Sequence, residues 1–247
     1  MEKLLDEIES YWNTRTEGYS EVNHKELAGT QKNAWLKLLT SYFPDKPKEE
    51  IRILDIGTGP GFFPVILAEA GYKVDAVDYT EGMLEKAKEN AGELCKNIHF
   101  QRMDAQKLEF ADSTFDIVIS RNLTWNLEHP DIAYSEWVRV LKAGGRLLNF
   151  DANWYGYLYE EEQRKAYEND RKNVESNSLD DHYLCTDIER MERIALQVPL
   201  SKIHRPQWDV KTLRNTGLMG IHTDTEIWKT VWSEEERLNY QPLRCSW

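Results

Sequence analysis

Cysteine is scarce in this chain of 247 residues, and its histidines lack a metal-binding spacing. The three cysteines, Cys95, Cys185 and Cys245, are odd in number and far apart, which excludes a disulfide framework and a C-x-x-C metal site. The six histidines form no H-x-x-x-H pair, so we expect no bound metal. Unpaired thiols are tolerated in a reducing compartment, and a cytoplasmic location is therefore favoured.

Long apolar runs and an excess of basic charge are also lacking. No run approaches the roughly 20 residues that span a bilayer, and residues 1–7 form an acidic helical pattern without the apolar region of a signal peptide. The formal net charge is −12, from 31 Lys and Arg residues against 43 Asp and Glu residues. Because proteins bind phosphate backbones through clustered Lys and Arg, we expect no nucleic-acid partner.

The sequence does contain an alternation of strand and helix patterns. Strands are predicted at residues 51–56, 73–77, 97–102, 115–119, 146–150, 217–223 and 243–247. Helical patterns separate most of them, and this order is typical of an α/β fold with a doubly wound, mainly parallel sheet. We therefore predict a Rossmann-like, seven-stranded sheet whose ligands bind outside the carboxyl ends of the strands.

The chain divides into four parts on the same evidence. Residues 1–50 have a helical pattern, and residues 51–151 form the strand-and-helix core. Residues 152–205 are rich in Tyr, Glu, Asp, Asn and Arg and show no strand pattern, so we interpret them as a helical insertion after the fifth strand. Residues 206–247 are expected to complete the sheet.

A glycine-rich loop, Asp55-Ile56-Gly57-Thr58-Gly59-Pro60-Gly61, follows the first strand and precedes a helix. Glycines at this place let the backbone turn sharply and approach a ligand closely. The spacing departs from the dinucleotide fingerprint, because Phe62 stands where that motif has its third glycine. The carboxylate of Asp55 would not help to bind a pyrophosphate, but it suits a ligand with an ammonium group and a sulfonium cation. A dinucleotide oxidoreductase is therefore disfavoured.

Two further carboxylates follow the second and third strands. Asp78 stands at the tip of the second strand, where an acid can accept hydrogen bonds from two ribose hydroxyls. The alternative is a helix-capping role before Thr80. Asp104 can accept a hydrogen bond from an adenine amino group, or it can cap its own loop.

Together these residues resemble the class I S-adenosylmethionine-dependent methyltransferases, and more closely their small-molecule "type 11" branch. Residues 115–122 resemble the family's fourth-strand motif, and residues 138–145 its R-V-L-K-P-G-G signature, with Ala143 in place of proline. The resemblance covers roughly residues 50–150. It implies S-adenosyl-L-methionine as the cofactor, and it implies a set of cofactor-binding residues: Tyr11, Arg15, Tyr19, Asp55, Gly57, Thr58, Gly59, Asp78, Tyr79, Met83, Asp104, Ala105 and Arg121.

The amino-terminal members of this set rest on an aromatic-x-x-x-Arg-x-x-x-Tyr segment that, in this branch, folds over the cofactor. The resemblance implies that Arg15 pairs with the methionine carboxylate and that Tyr11 and Tyr19 close the pocket. An amphipathic helix with Trp12 packed on the core is the alternative. On the first reading, residues 1–50 cover the cofactor site.

Substrate-binding candidates come from the loop after the fourth strand and from the insertion. Trp125, Trp154 and Tyr157 offer ring faces to a flat or cationic acceptor, although rings in such places also serve packing between the insertion and the sheet. No Asn-Pro-Pro-Tyr motif follows the fourth strand, which counts against methylation of adenine or glutamine amino groups. No catalytic residue is assigned, because a base is needed only if the acceptor still holds its proton.

Five other residues are candidates for a functional role. His129 is a base or part of the start of the next helix, and His182 with Cys185 suits a metal or a thiol reaction. His204 and Arg205 bind an anionic group or form a surface turn.

These observations predict an enzyme that transfers a methyl group from S-adenosyl-L-methionine to a small molecule of unknown identity. Residues 152–205 would act as a lid that sets specificity. Two alternatives stay open: an RNA-base or protein methyltransferase, and a cofactor-binding protein without catalysis. The nine tryptophans leave room for an exposed patch and a dimer.

Overall fold

The computed structural model describes residues 3–177 and 186–239. The strands are β1 Ile53–Ile56, β2 Val74–Asp78, β3 Ile98–Arg102, β4 Phe115–Arg121 and β5 Leu141–Phe150. The helices are α1 Leu4–Thr14, α2 Thr16–Ala28, α3 Gln31–Thr40, α4 Phe62–Glu69, α5 Glu81–Ala91, α6 Pro130–Val140, α7 Glu161–Asn177, α8 Ile188–Ala195, α9 Gln207–Asn215, α10 Trp228–Val231 and α11 Glu234–Asn239.

The five strands form one parallel sheet in the order β3-β2-β1-β4-β5. β1 lies at its centre, with Ile53 opposite Val74 of β2 and opposite Ile117 of β4. All four residues of β1 are buried because helices cover both faces, as the apolar composition of such strands requires. The strand order reverses between β1 and β4, and ligands of open α/β sheets bind at that switch point.

Each face of the sheet has its own apolar core. On one face Trp35 of α3 contacts Phe63 of α4 and Phe150 of β5, with ring centroids 5.2 and 4.9 Å apart. On the other face the fully buried Tyr134 and Trp137 of α6 pack against the sheet. These two layers fix the carboxyl ends of β1 and β4 relative to each other.

The structure confirms the α/β class and the parallel sheet, but it shows five strands where the sequence predicts seven. The predicted strand at residues 217–223 is wrong, since this segment forms turns and irregular backbone. Gly217 and Gly220 adopt φ values of +86° and +66°, and such left-handed residues interrupt an extended strand. The predicted strand at residues 243–247 lies outside the described residues.

Helices dominate the regions before and after the core. α1 and α2 meet at Arg15, and the buried Ile8 and Tyr11 of α1 pack against Met191 and Ile194 of α8. The described part of residues 152–205 contains α7, α8 and short 3-10 turns without a strand. Over the ranges that the structure describes, no helix has the length and apolar character needed to cross a membrane.

Candidate functional site

A cleft lies at the carboxyl ends of β1 to β4, beside the point where the strand order reverses. The loop between β1 and α4 forms its floor, and residues of α1 and α2 form its cover. All but Tyr11 and Arg15 of the predicted cofactor-binding residues line it. The lining members are Tyr19, Asp55, Gly57, Thr58, Gly59, Asp78, Tyr79, Met83, Asp104, Ala105 and Arg121.

The floor of the cleft depends on glycine at two positions. Gly57 has φ +70°, and a Cβ there would stand 2.7 Å from the side chain of Leu123. Gly61 has φ +91°, and its Cβ would lie 3.0 Å from that of Ala87 in α5. Only glycine combines these φ values with such close approach, so the loop presents bare backbone to the cleft.

Asp78 ties this loop to the end of β2. Its Oδ2 accepts a hydrogen bond from the Gly59 N–H at 2.8 Å, and its Oδ1 accepts one from the Thr80 N–H at 2.8 Å. Burial raises the pKa of the carboxyl, while the hydrogen bonds from Thr80 and Gly59 oppose that shift. A carboxylate has about four lone-pair sites, so each oxygen can still accept a hydrogen bond from a ligand.

Asp55 is the most buried carboxyl of the cleft, with 2% of its surface exposed. Burial raises its pKa from 3.8 to about 7, and the nearby charge of Asp78 acts in the same direction. The group is therefore close to half-ionised at neutral pH. A cation bound beside it would favour the ionised form and lower this pKa.

Asp104 lies at the third strand's end of the cleft, and its own loop already engages it. Its Oδ1 accepts hydrogen bonds from the backbone N–H of Gln106 at 2.8 Å and from the Gln106 amide at 3.1 Å. The carbonyl of Ala105 accepts a hydrogen bond from the Trp137 indole at 2.9 Å. The loop-capping alternative is thus realised through one oxygen of Asp104, in a loop held by the core.

Arg121 ends β4 and forms a buried ion pair that the sequence did not indicate. Its two terminal nitrogens donate to the carboxylate of Glu26 in α2, at 2.6 and 3.2 Å. The guanidinium also lies over the ring of Trp35, 4.9 Å from the centroid. Glu26 is 3% exposed, so the two charges neutralise each other away from water. In this structure the counter-charge of Arg121 is therefore Glu26, a residue of the protein itself.

The amino-terminal aromatic residues divide between the cleft and the contact of α1 with α8. The rings of Trp12 and Tyr19 line the cleft with centroids 5.6 Å apart, and Tyr19 lies against Gly59. Tyr11 is 3% exposed and packs among residues of α8. Arg15 stands at the junction of α1 and α2, outside the cleft's lining.

Comparison with known proteins assigns this core to a family. Residues 54–149 match the model of the family described as a methyltransferase domain. This chain contains a methyltransferase domain of that family. The match begins in β1 and ends in β5, so it covers the loop of Gly57, the β2 end at Asp78 and the end of β4 at Arg121.

A curated protein and two solved structures are similar to this chain. The chain is 31% identical over 148 residues to a demethylmenaquinone methyltransferase of Renibacterium salmoninarum, covering 60% of each protein. The chain thus spans about three fifths of the length of that relative. Phosphoethanolamine N-methyltransferase 2 of Haemonchus contortus, solved with S-adenosyl-L-methionine, aligns with TM-score 0.59 and 24% identity over 85% of this chain and 42% of that one.

A third comparison covers most of both proteins. A putative S-adenosyl-L-methionine-dependent methyltransferase of Methanococcus maripaludis aligns with TM-score 0.55 and 19% identity over 83% of this chain and 82% of that chain. At these identities the two structures establish the shared fold. The matched family indicates S-adenosyl-L-methionine as the cofactor of the domain.

The three predicted substrate-binding aromatic residues lie in the packing between the domain and the insertion. Trp125 is 6% exposed and stacks on Tyr155 with ring centroids 5.1 Å apart. Tyr157 stacks on Tyr167 at 4.1 Å and donates a hydrogen bond to Glu192 at 2.9 Å. Trp154 packs against the same cluster. None of the three lines the cleft among the described residues.

Three of the five other functional candidates, His129, His204 and Arg205, lie within the described residues. The rings of His129 and His204 are largely exposed, at 57% and 79%. Arg205 is buried, so the surface-turn reading of this residue is wrong. His182 and Cys185 lie outside the described residues. Within residues 3–177 and 186–239, no cluster of three or more His, Cys, Asp or Glu side chains is arranged to hold a metal ion.

Arg205 is the centre of a buried polar network that supports the cleft from behind. It forms ion pairs with Asp151 at 3.0 Å and Asp209 at 2.7 Å, and it donates to Thr124 Oγ1 at 2.8 Å. Asp151 also accepts a hydrogen bond from the backbone N–H of Trp125 at 2.8 Å. The network therefore fixes the turn Thr124–Asn126 that follows β4 and contributes to the cleft.

Sequence reasoning missed several lining residues, above all Asn23 and Asn126. Both are at least 95% buried, and the Oδ1 atom of each has no hydrogen-bond partner among the described residues. Asn23 stands four residues after Tyr19, so the helical repeat alone places it on the face that Tyr19 presents to the cleft. No comparable local signal marks Asn126.

Proposed function

We propose that this protein transfers a methyl group from S-adenosyl-L-methionine to a small molecule. The observation that carries the proposal is the placement of Asp55, Asp78 and Asp104 along one cleft, at the ends of three adjacent strands. The order of the three carboxylates along the cleft matches the order of the ammonium, ribose and adenine groups in the cofactor. The glycine loop leaves room for that ligand because its backbone carries no Cβ at Gly57 and Gly59.

The residues present fit the group. Asp78 offers each carboxylate oxygen to a ribose hydroxyl while its backbone contacts hold the geometry. Asp55 supplies the negative charge that an ammonium group needs, and Asp104 has its second oxygen for the adenine amine. Trp12 and Tyr19 cover the cleft and exclude water.

The chemistry asks mainly for positioning. The bound sulfonium supplies an activated methyl group, so the protein has to hold an acceptor in line with it at about 3–3.5 Å. Such positioning contributes roughly 7–11 kcal/mol to lowering a barrier of this kind. We propose that residues 152–205 act as the lid that selects the acceptor, since α8 packs on α1 and other residues of α1 line the cleft.

The charges at the cleft favour a small-molecule acceptor over a nucleic acid, and over a protein that would be recognised through a stripe of basic residues. Arg121, which would belong to a positive stripe at the cleft, is bound to Glu26. Arg121 is therefore not available to bind phosphates without losing its present partner.

The experiment is a methyl-transfer assay with a metabolite extract. Purified protein is incubated with extract and cofactor carrying a deuterated methyl group, and products are searched for by the corresponding mass gain. We expect labelled product with wild type and none with Asp78→Ala. Binding of S-adenosylhomocysteine without any labelled product would favour a non-catalytic cofactor-binding protein instead.

A further inference from the structure

The cleft contains buried hydrogen-bond acceptors in excess of those that the cofactor requires. Asn23 and Asn126 line the cleft, and the Oδ1 atom of each is buried without a partner among the described residues. A buried polar atom without a partner is destabilising, so such atoms call for a ligand. Asn23 belongs to α2, which covers the cleft, and Asn126 belongs to the turn after β4. Each of these two elements therefore contributes one such oxygen atom.

The cofactor's own donors are matched elsewhere in the proposed function, on which this inference rests. Its ribose hydroxyls go to Asp78, its ammonium to Asp55 and its adenine amine to Asp104. The amide oxygens of Asn23 and Asn126 therefore remain for hydrogen-bond donors of the methyl acceptor. An acceptor recognised in this way carries N–H or O–H groups.

The charge of the cleft decides between an acceptor with N–H groups and one with O–H groups. Its charged lining residues, within the described ranges, are Glu9, Asp55, Asp78, Asp104, Glu128 and the single cation Arg121. Arg121 is neutralised by Glu26, and Glu9 pairs with Arg102 at 2.7 Å. Neither lysine nor histidine appears among the described lining residues.

This arrangement disfavours oxygen acceptors. A phenol or alcohol has to lose its proton to become a good nucleophile. Among the described lining residues the resulting anion would find carboxylates and no unpaired cation, so the cofactor alone would supply its counter-charge. An amine attacks through its neutral form, so a protonated amine first gives one proton to water, and its methylated product is a cation that the same carboxylates stabilise. We infer that the acceptor is an amine, bound through its N–H groups by Asn23 and Asn126.

The transfer balances without another reactant. The lone pair of the amine nitrogen forms the bond to the methyl carbon while the carbon–sulfur bond breaks and leaves its electron pair on sulfur. The new ammonium then gives its proton to water. No oxidant or metal is required, and water takes up the protons that the amine releases.

Two measurements test the inference. In the extract assay the labelled product is fragmented to locate the deuterated methyl group, and we expect it on nitrogen. A label on oxygen, carbon or sulfur overturns the inference while leaving methyl transfer intact. If no product is labelled at all, the proposed function fails, and this inference fails with it.

The second measurement separates acceptor binding from cofactor binding. For the labelled amine we expect Asn23→Leu and Asn126→Leu to raise KM at least tenfold, with the Kd for S-adenosylhomocysteine within twofold of wild type. Asn23→Asp, which keeps the acceptor atom, should restore KM to within threefold, and Asn33→Leu at an exposed position of α3 is the control. An unchanged KM, or a tenfold loss of S-adenosylhomocysteine affinity, would contradict the assignment.

Discussion

Asp78 Oδ2 accepts a hydrogen bond from the Gly59 N–H at 2.8 Å, which joins the end of β2 to the glycine loop after β1. The two residues stand 19 positions apart, yet the parallel pairing of β1 with β2 brings them together. One carboxylate thus shapes the loop and faces the cleft.

Asp78→Ala is expected to weaken S-adenosylhomocysteine binding at least a hundredfold, because the loop loses its anchor and the ribose loses both acceptors. Isothermal titration calorimetry gives the affinity directly. Asp75→Asn is the matched control: Asp75 lies on the same strand, but it pairs with Arg52 at 3.2 Å away from the cleft. Unchanged affinity in Asp78→Ala would contradict the role given to this residue.

Cofactor affinity is expected to depend on pH through Asp55. Its pKa of about 7 means that the carboxylate ionises between about pH 6 and about pH 8. Since the ammonium group of S-adenosylhomocysteine prefers the ionised form, its affinity should rise about tenfold over that interval. Asp55→Asn should bind weakly with no such rise, and the same slope in both proteins would refute the assignment.

The ligand-free stability should change in the opposite direction. Because burial raises the pKa of Asp55 above its unfolded value, the folded state holds a proton that the unfolded state has already released between about pH 4 and pH 7. Stability contributed by this group therefore falls as pH rises through that window, by up to about 4 kcal/mol. Without ligand, the Tm of Asp55→Asn should exceed that of wild type at about pH 8, and the difference between the two Tm values should narrow towards about pH 5. A constant difference would argue against a raised pKa.

Gly57→Ala should distort the cleft. The substitution places an L-residue at φ +70° with its Cβ 2.7 Å from Leu123, so both backbone strain and a clash oppose the native loop. Gly144→Ala shares the positive φ, at +78°, but meets no atom within 4 Å; it should cost only about 1 kcal/mol. We expect Gly57→Ala to lose S-adenosylhomocysteine binding while Gly144→Ala keeps it, and equal losses would indicate strain alone.

Arg205→Met should destabilise the fold strongly. It leaves Asp151 and Asp209 buried without their counter-charge, and breaking a buried pair in this way costs about 3–5 kcal/mol. Lys165→Met removes an exposed partner of Glu161 and should have no measurable effect. Urea denaturation compares the two variants, and similar midpoints would show that the network contributes little.

The cleft's floor could be predicted from the sequence because its determinants are local. Asp55, Gly57 and Gly59 follow a strand and precede a helix within a few residues, and parallel topology brings Asp78 to the same edge. The chemistry of these residue types at that place then suggested the ligand.

The remaining contacts join distant parts of the chain, which periodicity does not encode. Glu26 and Arg121 are 95 positions apart, and the ion pair depends on how α2 docks over β4. The position of Arg205 before Pro206 left a surface turn and an anionic contact open, whereas its charge is satisfied by Asp209 and by the distant Asp151. Residues 217–223 resembled a strand by composition, but the positive φ of two glycines prevents it.

Calorimetric titration of the wild-type chain with S-adenosylhomocysteine, and separately with NAD, tests the cofactor assignment itself. We expect one S-adenosylhomocysteine site per chain with a Kd in the micromolar range, about −8 kcal/mol, and no heat from NAD. Absence of S-adenosylhomocysteine binding, or tighter binding of NAD, would contradict it.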